Sequence, residues 1–322
     1  MYNIVILDSH SLGEDFEISE FDSLGKVIQY GTTLPEEVEE RIKGQDIILT
    51  NKVVLNASNL KNAHQLKFIG ILATGTNNVD LEYCKNNNIA VTNVAGYSTN
   101  SVAQHTFAML FYVLENLAYY DHYVKSGNYA KSSTFNHIGK RYSELEGKTW
   151  GIIGLGTIGK RVAGIAEAFS CRVIYYSSSG VNDYPLYERV ELDELLEQSD
   201  IISIHSPLTE LTKGLIGKKE LMQMKESAIL LNLGRGGIIN EEDLAVALEN
   251  NRIEAAALDV LEHEPIKEDN PLLRIKDSGK LFITPHIAWG SLEARRRLLA
   301  ETVINIKAFE ENIMRNRVEI FG

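Results

Sequence analysis

Features that define membrane, secreted or metal-binding proteins are scarce in this sequence. Only two cysteines, Cys84 and Cys171, occur among 322 residues, so neither a disulfide framework nor a metal site built on cysteine is expected. No apolar run approaches the roughly 18 residues that a membrane span requires. The first residues lack the basic segment and cleavage site of a secretory leader, and residues 4–8 predict a strand instead. These absences predict a cytoplasmic protein without a membrane anchor or a bound metal.

Positive charge is also scarce. The formal net charge is −12, which argues against a nucleic-acid surface and otherwise indicates solubility. Hydrophobic residues make up 44% and charged residues 24% of the chain, as is typical of globular proteins, and a length of 322 residues predicts two domains. We therefore expect a small-molecule partner, not a nucleic acid or a membrane.

The most informative stretch is glycine-rich and runs from Trp150 to Phe169. An apolar strand pattern enters a turn with Gly154, Gly156 and Gly159, and a helical pattern leaves it. G-x-G-x-x-G between a strand and a helix is the context that the dinucleotide fingerprint requires. The glycines allow a tight turn, a close approach of the pyrophosphate and close helix packing, and the helix N-terminus favours an anion. The predicted cofactor loop consists of Gly154, Leu155, Gly156, Thr157, Ile158 and Gly159.

The rest of the chain alternates strand and helix patterns, which predicts an α/β protein with parallel sheets. We expect two doubly wound domains. A Rossmann cofactor domain at residues 99–288 is inserted in a flavodoxin-like substrate domain at residues 1–98 and 289–322, because a helix predicted at residues 291–311 is expected to pack back on the first domain. The predicted strands are 4–8, 46–50, 67–72, 89–93, 150–153, 172–176, 201–205, 228–232, 254–259 and 281–284.

Two segments allow more than one interpretation. Residues 73–80 place small residues and a glycine after a strand, which is typical either of an anion-binding loop or of a turn that ends in the helix cap Asp80. Residues 119–146 carry several tyrosines, which indicate either a partner surface or, slightly favoured, helix packing. These tyrosines are Tyr119, Tyr120, Tyr123 and Tyr129.

The adenosine ribose of the cofactor is expected to contact Ser177. An acidic residue for the ribose hydroxyls normally follows the second strand of such a domain, about 20 residues after the first glycines. Here that position is Ser177, followed by Ser178 and Ser179. Serine can hydrogen-bond a ribose but supplies no charge to exclude a 2′-phosphate, and no arginine follows immediately. NAD is therefore the expected cofactor, and NADP stays open.

Three polar residues each follow a predicted strand of one sheet, and in such sheets ligands bind beyond the carboxyl ends of the strands. They are Arg235, Glu264 and His286. Hydride transfer to a 2-keto acid requires a grip on the carboxylate, a proton for the carbonyl oxygen and an acidic partner for the proton donor. An arginine fork, a histidine and a glutamate supply these in turn. Individually each residue also suits an ordinary structural position, but together we predict them to be catalytic.

On these residues, the chain resembles the D-isomer-specific 2-hydroxyacid dehydrogenases over nearly its whole length. The spacing between the three residues is specific, with 29 residues from Arg235 to Glu264 and 22 from Glu264 to His286. The matching stretches are GIIGLGTIG (151–159), NLGRGGIIN (232–240), ALDVLEHEP (257–265) and TPHIA (284–288). Within the family the chain most resembles glycerate dehydrogenases, also called hydroxypyruvate reductases, through TNKV (50–53), ATGTNNVDL (73–81), SVAQHTFAML (101–110) and PHIAWGSLEARRRL (285–298).

The resemblance implies reduction of hydroxypyruvate to D-glycerate, with glyoxylate as a poorer substrate. It implies that Arg235 binds the substrate, that His286 is the acid and base, and that Glu264 is its partner. It also implies a homodimer formed through the cofactor domain, with residues 98–146 as the interface. Further cofactor contacts are implied at Ser177, His205, Pro207, Thr212, Leu233, Gly234 and Asp259, and substrate contacts at Asn51, Thr74, Gly75, Arg235 and His286.

Other activities remain as alternatives. A formate dehydrogenase would have glutamine at the position of Glu264, and a phosphoglycerate dehydrogenase would need a basic phosphate pocket that the sequence does not locate. A D-lactate dehydrogenase, or one for another D-2-hydroxy acid, differs only by small changes in a pocket. The same fold also occurs in nucleotide-sensing corepressors, which are binding modules, and turnover of a keto acid separates the two classes.

Overall fold

The computed structural model describes residues 1–15, 18–181 and 184–320. The chain divides into two compact units, one formed by Met1–Ser98 with Gly290–Gly322 and the other by Thr99–Trp289. The first unit is discontinuous, because the chain leaves it after Ser98 and returns to it at Gly290.

A parallel sheet lies at the centre of the first unit. Its strands within the described residues are β1 (Tyr2–Ile6), β2 (Gly25–Gln29), β3 (Ile47–Thr50), β4 (Phe68–Ile71) and β5 (Ala90–Thr92). They pair in the order β2-β1-β3-β4-β5, and each pair is parallel. Because β2 and β3 lie on opposite sides of β1, the sheet has the doubly wound order of flavodoxin-like domains.

A larger parallel sheet lies in the second unit. Its strands within the described residues are β6 (Thr149–Ile153), β7 (Arg172–Tyr176), β8 (Glu188–Arg189), β9 (Ile201–Ile204), β10 (Ile229–Asn232), β11 (Ala255–Leu258) and β12 (Leu281–Ile283). They pair in the order β12-β11-β10-β9-β6-β7-β8. The strand order reverses between β6 and β9, and ligands of such sheets bind at this switch point, outside the carboxyl ends of the strands.

Helices connect most of these strands. They are α1 (Val38–Ile42), α2 (Ala57–Leu60), α3 (Leu81–Asn86), α4 (Thr99–Leu114), α5 (Leu117–Lys125), α6 (Thr157–Ala168), α7 (Leu192–Gln198), α8 (Lys218–Gln223), α9 (Glu241–Glu249) and α10 (Leu292–Glu310). Side chains cap several of them: Ser291 accepts the Ala294 N–H at 3.2 Å and Asp80 accepts the Tyr83 N–H at 2.9 Å. Such caps satisfy N–H groups that the helix leaves unpaired.

The strands are apolar because residues on both of their faces are buried. All four residues of β9, β10 and β11 are buried, and a parallel sheet covered on both faces favours such continuous apolar runs. Each fully buried leucine or isoleucine contributes about 1.5–3 kcal/mol relative to an exposed one. Trp150 on β6 is completely buried, and its indole Nε1 donates to Ser203 Oγ on β9 at 2.9 Å. The buried core therefore fixes the strand ends that carry the functional loops.

The predicted α/β class with two parallel-sheet units is confirmed. The sequence analysis does not predict β2 or β8. A 3₁₀ turn, Pro35–Glu37, directly precedes α1. Within the described residues, no helix has the length and apolar character needed to cross a membrane.

Candidate active site

The three predicted catalytic residues follow neighbouring strands. β10, β11 and β12 are adjacent and parallel, and Arg235, Glu264 and His286 come after them in that order. The three loops therefore leave the same edge of the sheet. Glu264 and His286 are in direct contact, since His286 Nδ1 lies 2.7 Å from Glu264 Oε2.

The Glu264 carboxylate fixes the orientation of the imidazole. Oε2 accepts from His286 Nδ1, while Oε1 accepts the backbone N–H of Leu261 at 3.0 Å. With the proton of Nδ1 donated to a carboxylate, Nε2 is the ring nitrogen that remains to exchange a proton with a reactant. The side chains of His286 and Glu264 are 21% and 34% exposed, so a small molecule can reach the pair.

A buried carboxylate holds the backbone on which His286 lies. Asp259 follows β11 and is 2% exposed. Its Oδ1 accepts from Thr284 Oγ1 at 2.7 Å and from Ile287 N at 2.8 Å, and its Oδ2 accepts from Ala288 N at 2.9 Å. These hydrogen bonds tie the loop after β12 to the end of β11. The carboxylate faces this loop, and a direct cofactor contact by Asp259 stays a prediction.

His105 on α4 extends the same network. Its Nε2 lies 3.1 Å from Thr284 Oγ1, which itself donates to Asp259. Burial lowers the pKa of His105, and the charge of Asp259 opposes this change. A neutral His105 that donates to Thr284 completes a buried chain of hydrogen bonds behind the His286 loop.

Arg235 lies on the adjacent loop and does not bond to the other two residues. Its Nη1 donates to the Gly234 carbonyl at 2.9 Å. The Asn232 side chain shapes this loop by donating to the Arg235 carbonyl at 2.9 Å and accepting from Gly234 N at 3.1 Å. Among the hydrogen bonds and ion pairs of the described residues, none joins Arg235 to Glu264 or His286. The guanidinium is half-buried and keeps donors for an anion.

Gly236 allows the Arg235 loop to pack against the chain that leads to Glu264. A Cβ atom at Gly236 would lie 1.8 Å from the Leu261 carbonyl oxygen and 2.5 Å from Glu262 N. These neighbours are backbone atoms that belong to the next loop, so they cannot rotate away. The close approach therefore fixes the spacing of the two loops that carry Arg235 and Glu264.

We expect Gly236→Ala to lower the free energy of unfolding by roughly 1–3 kcal/mol, because the extra methyl group forces the two backbones apart. Gly164→Ala is a matched control. Gly164 lies within α6 with open space around its Cβ position, and alanine there is expected to stabilise the helix by about 0.5–1 kcal/mol. Urea unfolding of both variants measures the two effects. A Gly236→Ala protein as stable as the unchanged chain would contradict the packing role.

The predicted cofactor loop has the expected local geometry. Gly154 has a φ of 94°, a region open to glycine, and its N–H donates to the Tyr176 carbonyl at 3.0 Å. A Cβ atom at Gly159 would lie 2.4 Å from the Gly154 carbonyl oxygen, so glycine permits the close packing of α6 on this turn. Leu155 is buried, and α6 begins at Thr157 after the N-cap Gly156, with Ile158 and Gly159 in its first turn.

Two observations show that these residues fit a dinucleotide. Apart from the adjoining backbone, no atom of the described residues lies within 4 Å of the Cβ position of Gly156, which leaves the start of α6 open to a pyrophosphate. Both ring nitrogens of His205, at the end of β9, are buried without a hydrogen-bond partner among the described residues. Burial lowers the pKa of His205 to about 3, so the ring is neutral near pH 7 and offers a donor and an acceptor to a bound ligand.

The other predicted cofactor residues lie in loops at the same edge of the sheet. Thr212 is buried, and its hydroxyl donates to the carbonyl of the exposed Pro207 at 2.7 Å. Leu233 is buried after β10, and a Cβ atom at Gly234 would lie 2.6 Å from the Ser206 carbonyl oxygen. Ser177 follows β7 and is 7% exposed.

The predicted substrate residues of the first unit lie after β3 and β4. Asn51 is 6% exposed, and its amide Nδ2 donates to Ser11 Oγ at 3.2 Å. The Thr74 hydroxyl donates to the Val94 carbonyl at 3.1 Å, and Gly75 follows it half-buried. Asp80 caps α3, which confirms the turn interpretation of residues 73–80. An anion-binding role of the loop is compatible with this cap.

Asp8 is a structural support that the sequence analysis does not identify. Its carboxylate accepts from Asn51 N at 2.9 Å and from Lys52 N at 2.7 Å, and thereby holds the loop after β3. Burial raises the pKa of Asp8, while these hydrogen bonds act in the opposite direction. An acid two residues after the end of the apolar strand β1 is the signal that could have indicated it.

Comparisons with known proteins agree with this fold. The sequence profile for "D-isomer specific 2-hydroxyacid dehydrogenase, NAD binding domain" matches residues 107–288. Glycerate dehydrogenase of Methylorubrum extorquens is 38% identical over 317 residues, which cover 98% of both chains. Hydroxypyruvate reductase of Blautia hydrogenotrophica is 38% identical over 314 residues, which cover 95% of this chain and 96% of that one. The structure of an acyclic imino acid reductase in complex with NADPH and D-Arg superposes with a TM-score of 0.86 at 30% identity and covers 98% of this chain and 99% of that one.

The parallel sheets and the glycine-rich loop define a dinucleotide-binding oxidoreductase of two α/β units. With a relative this similar along nearly the whole chain, the chain belongs to the D-isomer specific 2-hydroxyacid dehydrogenase family.

Proposed function

We propose that the protein reduces hydroxypyruvate to D-glycerate with a nicotinamide dinucleotide. The observation that carries the proposal is the Glu264–His286 pair at the carboxyl edge of the sheet that also bears the glycine-rich loop. The substrate follows from the names of two relatives at 38% identity, a glycerate dehydrogenase and a hydroxypyruvate reductase. We propose that residues 99–288 bind the cofactor and that residues 1–98 with 289–322 contribute contacts to the substrate.

Each residue has one task in the proposed reaction. When bound, the reduced nicotinamide supplies the hydride to the carbonyl carbon. Nε2 of His286 gives its proton to the carbonyl oxygen as negative charge develops there. Glu264 holds the ring in its orientation through the hydrogen bond to Nδ1. The Arg235 fork binds the substrate carboxylate and orients the carbonyl. In the first unit, Asn51 and the backbone around Thr74 and Gly75 are proposed to bind the substrate.

We expect Glu264→Gln to lower kcat for keto-acid reduction roughly tenfold, because the amide keeps a hydrogen bond to Nδ1 but a weaker one than the charged carboxylate forms. The KM for the keto acid is expected to change little, since Glu264 does not grip the carboxylate. Glu262→Gln is the matched control, because Glu262 is an exposed acid two residues away. Steady-state kinetics of both variants measure these effects. Equal kcat values for the two variants would contradict the proposed role of Glu264 in catalysis.

A substrate panel tests the proposed function. Hydroxypyruvate, glyoxylate, pyruvate and a bulky keto acid are each offered with NADH and with NADPH, and loss of the reduced nicotinamide absorbance is followed. We expect the highest kcat/KM with hydroxypyruvate and a lower value with glyoxylate. A preference for pyruvate or the bulky acid would contradict hydroxypyruvate as the substrate but would leave the proposed mechanism of hydride transfer in place. Cofactor binding without turnover of any acid would indicate a nucleotide-sensing protein instead.

We further propose that the protein forms a homodimer through residues 98–146 and works in the cytoplasm. This segment exposes large apolar side chains, including Val124, Phe135 and Ile138 at 54%, 88% and 78% exposure. Clusters of exposed apolar residues commonly mark association surfaces. The segment also contains a packed aromatic group, in which the His137 ring stacks on Tyr123 with centroids 3.7 Å apart. Sedimentation equilibrium tests the dimer, and a monomer at micromolar concentration would contradict it.

A further inference from the structure

We infer that the turn after β7 forms a subsite for the 2′-phosphate of NADPH, with Arg189 as its main cation. The inference rests on the proposed function, because it concerns the adenosine end of the same cofactor site. It also revises the sequence-based expectation of NAD, which rested on the absence of an arginine directly after Ser177.

The turn itself has hydroxyl groups where a carboxylate would exclude phosphate. Ser177, Ser178 and Ser179 follow β7, and Gly180 N donates to the Ser177 carbonyl at 3.1 Å to close the turn. An acidic residue at the Ser177 position binds the ribose hydroxyls of NAD and repels an added phosphate. Serine hydroxyls can instead donate hydrogen bonds to phosphate oxygens.

The structure brings an arginine to this turn from the next strand. Arg189 on β8 pairs with Tyr175 on β7, so its strand position lies beside the carboxyl end of β7. Its Nη1 donates to the Gly180 carbonyl at 3.0 Å, and its Nη2 lies 3.6 Å from the Cβ position of Gly180. Among the described residues this carbonyl is its only hydrogen-bond partner, so the fork keeps donors for a phosphate.

The segment that carries Arg189 is anchored at both ends. The backbone N–H of Tyr184 donates to the Tyr175 hydroxyl at 2.9 Å, and Val190 N donates to the Tyr175 carbonyl at 2.9 Å. The Lys160 ammonium, from the first turns of α6, lies 4.2 Å from the centre of the Tyr184 ring. The neighbouring acid on β8, Glu188, is paired with Arg172 at 2.7 Å. The guanidinium is therefore held beside the serine turn, and the charge of Glu188 is balanced by another arginine.

A phosphate monoester carries between one and two negative charges near neutral pH, and an arginine fork matches its oxygens with two parallel hydrogen bonds. Hydrogen bonds to charged groups typically change an equilibrium constant by roughly tenfold to a hundredfold. We therefore expect the full chain to bind 2′,5′-ADP at least roughly tenfold more tightly than 5′-AMP, since the two differ only by the 2′-phosphate.

Isothermal titration calorimetry of the full-length protein with these two nucleotides tests the subsite without any turnover. Arg189→Ala is expected to remove the preference for 2′,5′-ADP and to leave 5′-AMP binding unchanged. Ser177→Asp is expected to reverse the preference, because the new carboxylate repels the phosphate. Arg274→Ala is the matched control, since Arg274 is an exposed cation that pairs with Glu242 and Glu249 outside this turn, and the preference should stay.

The outcomes separate this inference from the function on which it rests. Equal or tighter binding of 5′-AMP by the unchanged protein would overturn the 2′-phosphate subsite and leave the dinucleotide site intact. A preference that survives Arg189→Ala would overturn the role of Arg189. Failure of both nucleotides and of NADH to bind would overturn the proposed function, and this inference with it.

Discussion

Replacing His286 with alanine is expected to lower kcat for keto-acid reduction by roughly a hundredfold to ten-thousandfold, because the carbonyl oxygen loses its proton donor. Cofactor binding is expected to stay unchanged, since the His286 ring contacts Glu264 and neither belongs to the glycine-rich loop. Steady-state kinetics measure the first effect, and quenching of protein fluorescence by NADH or NADPH measures the second. A variant that binds cofactor normally but fails in turnover would place the defect in the chemical step.

His263→Ala provides the control for this experiment. His263 directly precedes Glu264 but is exposed, so its loss should leave kcat nearly unchanged. Normal turnover by the His286→Ala protein, or equal losses in both variants, would contradict the assignment of His286 as the acid.

Arg235→Lys is expected to raise the KM for the keto acid by roughly tenfold to a hundredfold, with a smaller change in kcat. Lysine keeps the positive charge but cannot form the two parallel hydrogen bonds by which a guanidinium holds a carboxylate. It also cannot reproduce the geometry in which Nη1 donates to the Gly234 carbonyl. Initial rates over a range of hydroxypyruvate concentrations separate KM from kcat.

Arg274→Lys is a suitable control, because Arg274 is exposed and forms surface ion pairs with Glu242 and Glu249. Such pairs contribute little, so we expect its KM to match that of the unchanged protein. An unaltered KM in the Arg235→Lys protein would contradict the proposal that Arg235 binds the substrate carboxylate.

The contact between Glu264 and His286 could be expected from the sequence for a simple reason. Both residues follow short apolar strands, and parallel strands bring their carboxyl ends to one edge. The same reasoning places Arg235 on the neighbouring loop but does not predict the direction in which its side chain points. The hydrogen bond from Arg235 to the Gly234 carbonyl depends on the loop conformation, which the Asn232 side chain shapes. The class of fold follows from strand and helix periods, whereas the contact geometry depends on packing.

The features that the sequence analysis misses depend on residues far apart in the chain. β2 reads Gly25-Lys26-Val27-Ile28-Gln29 at a sheet edge, where partial exposure weakens the apolar signal. Gly236 resembles an ordinary turn glycine until the Leu261 carbonyl is seen against it. Arg189 lies twelve positions after Ser177, and only the pairing of β7 with β8 brings it to the serine turn. Contacts between residues that are distant in the chain leave no local sequence pattern from which they could be predicted.

The most direct test of the central claim is chiral analysis of the product from hydroxypyruvate. The purified protein is incubated with hydroxypyruvate and NADPH or NADH, and the glycerate formed is resolved into its enantiomers while oxidised cofactor is quantified. The proposed function predicts D-glycerate alone, in equal amount to the oxidised cofactor, and none above background with His286→Ala. Formation of L-glycerate, or no cofactor oxidation at all with bound nucleotide and hydroxypyruvate present, would contradict it.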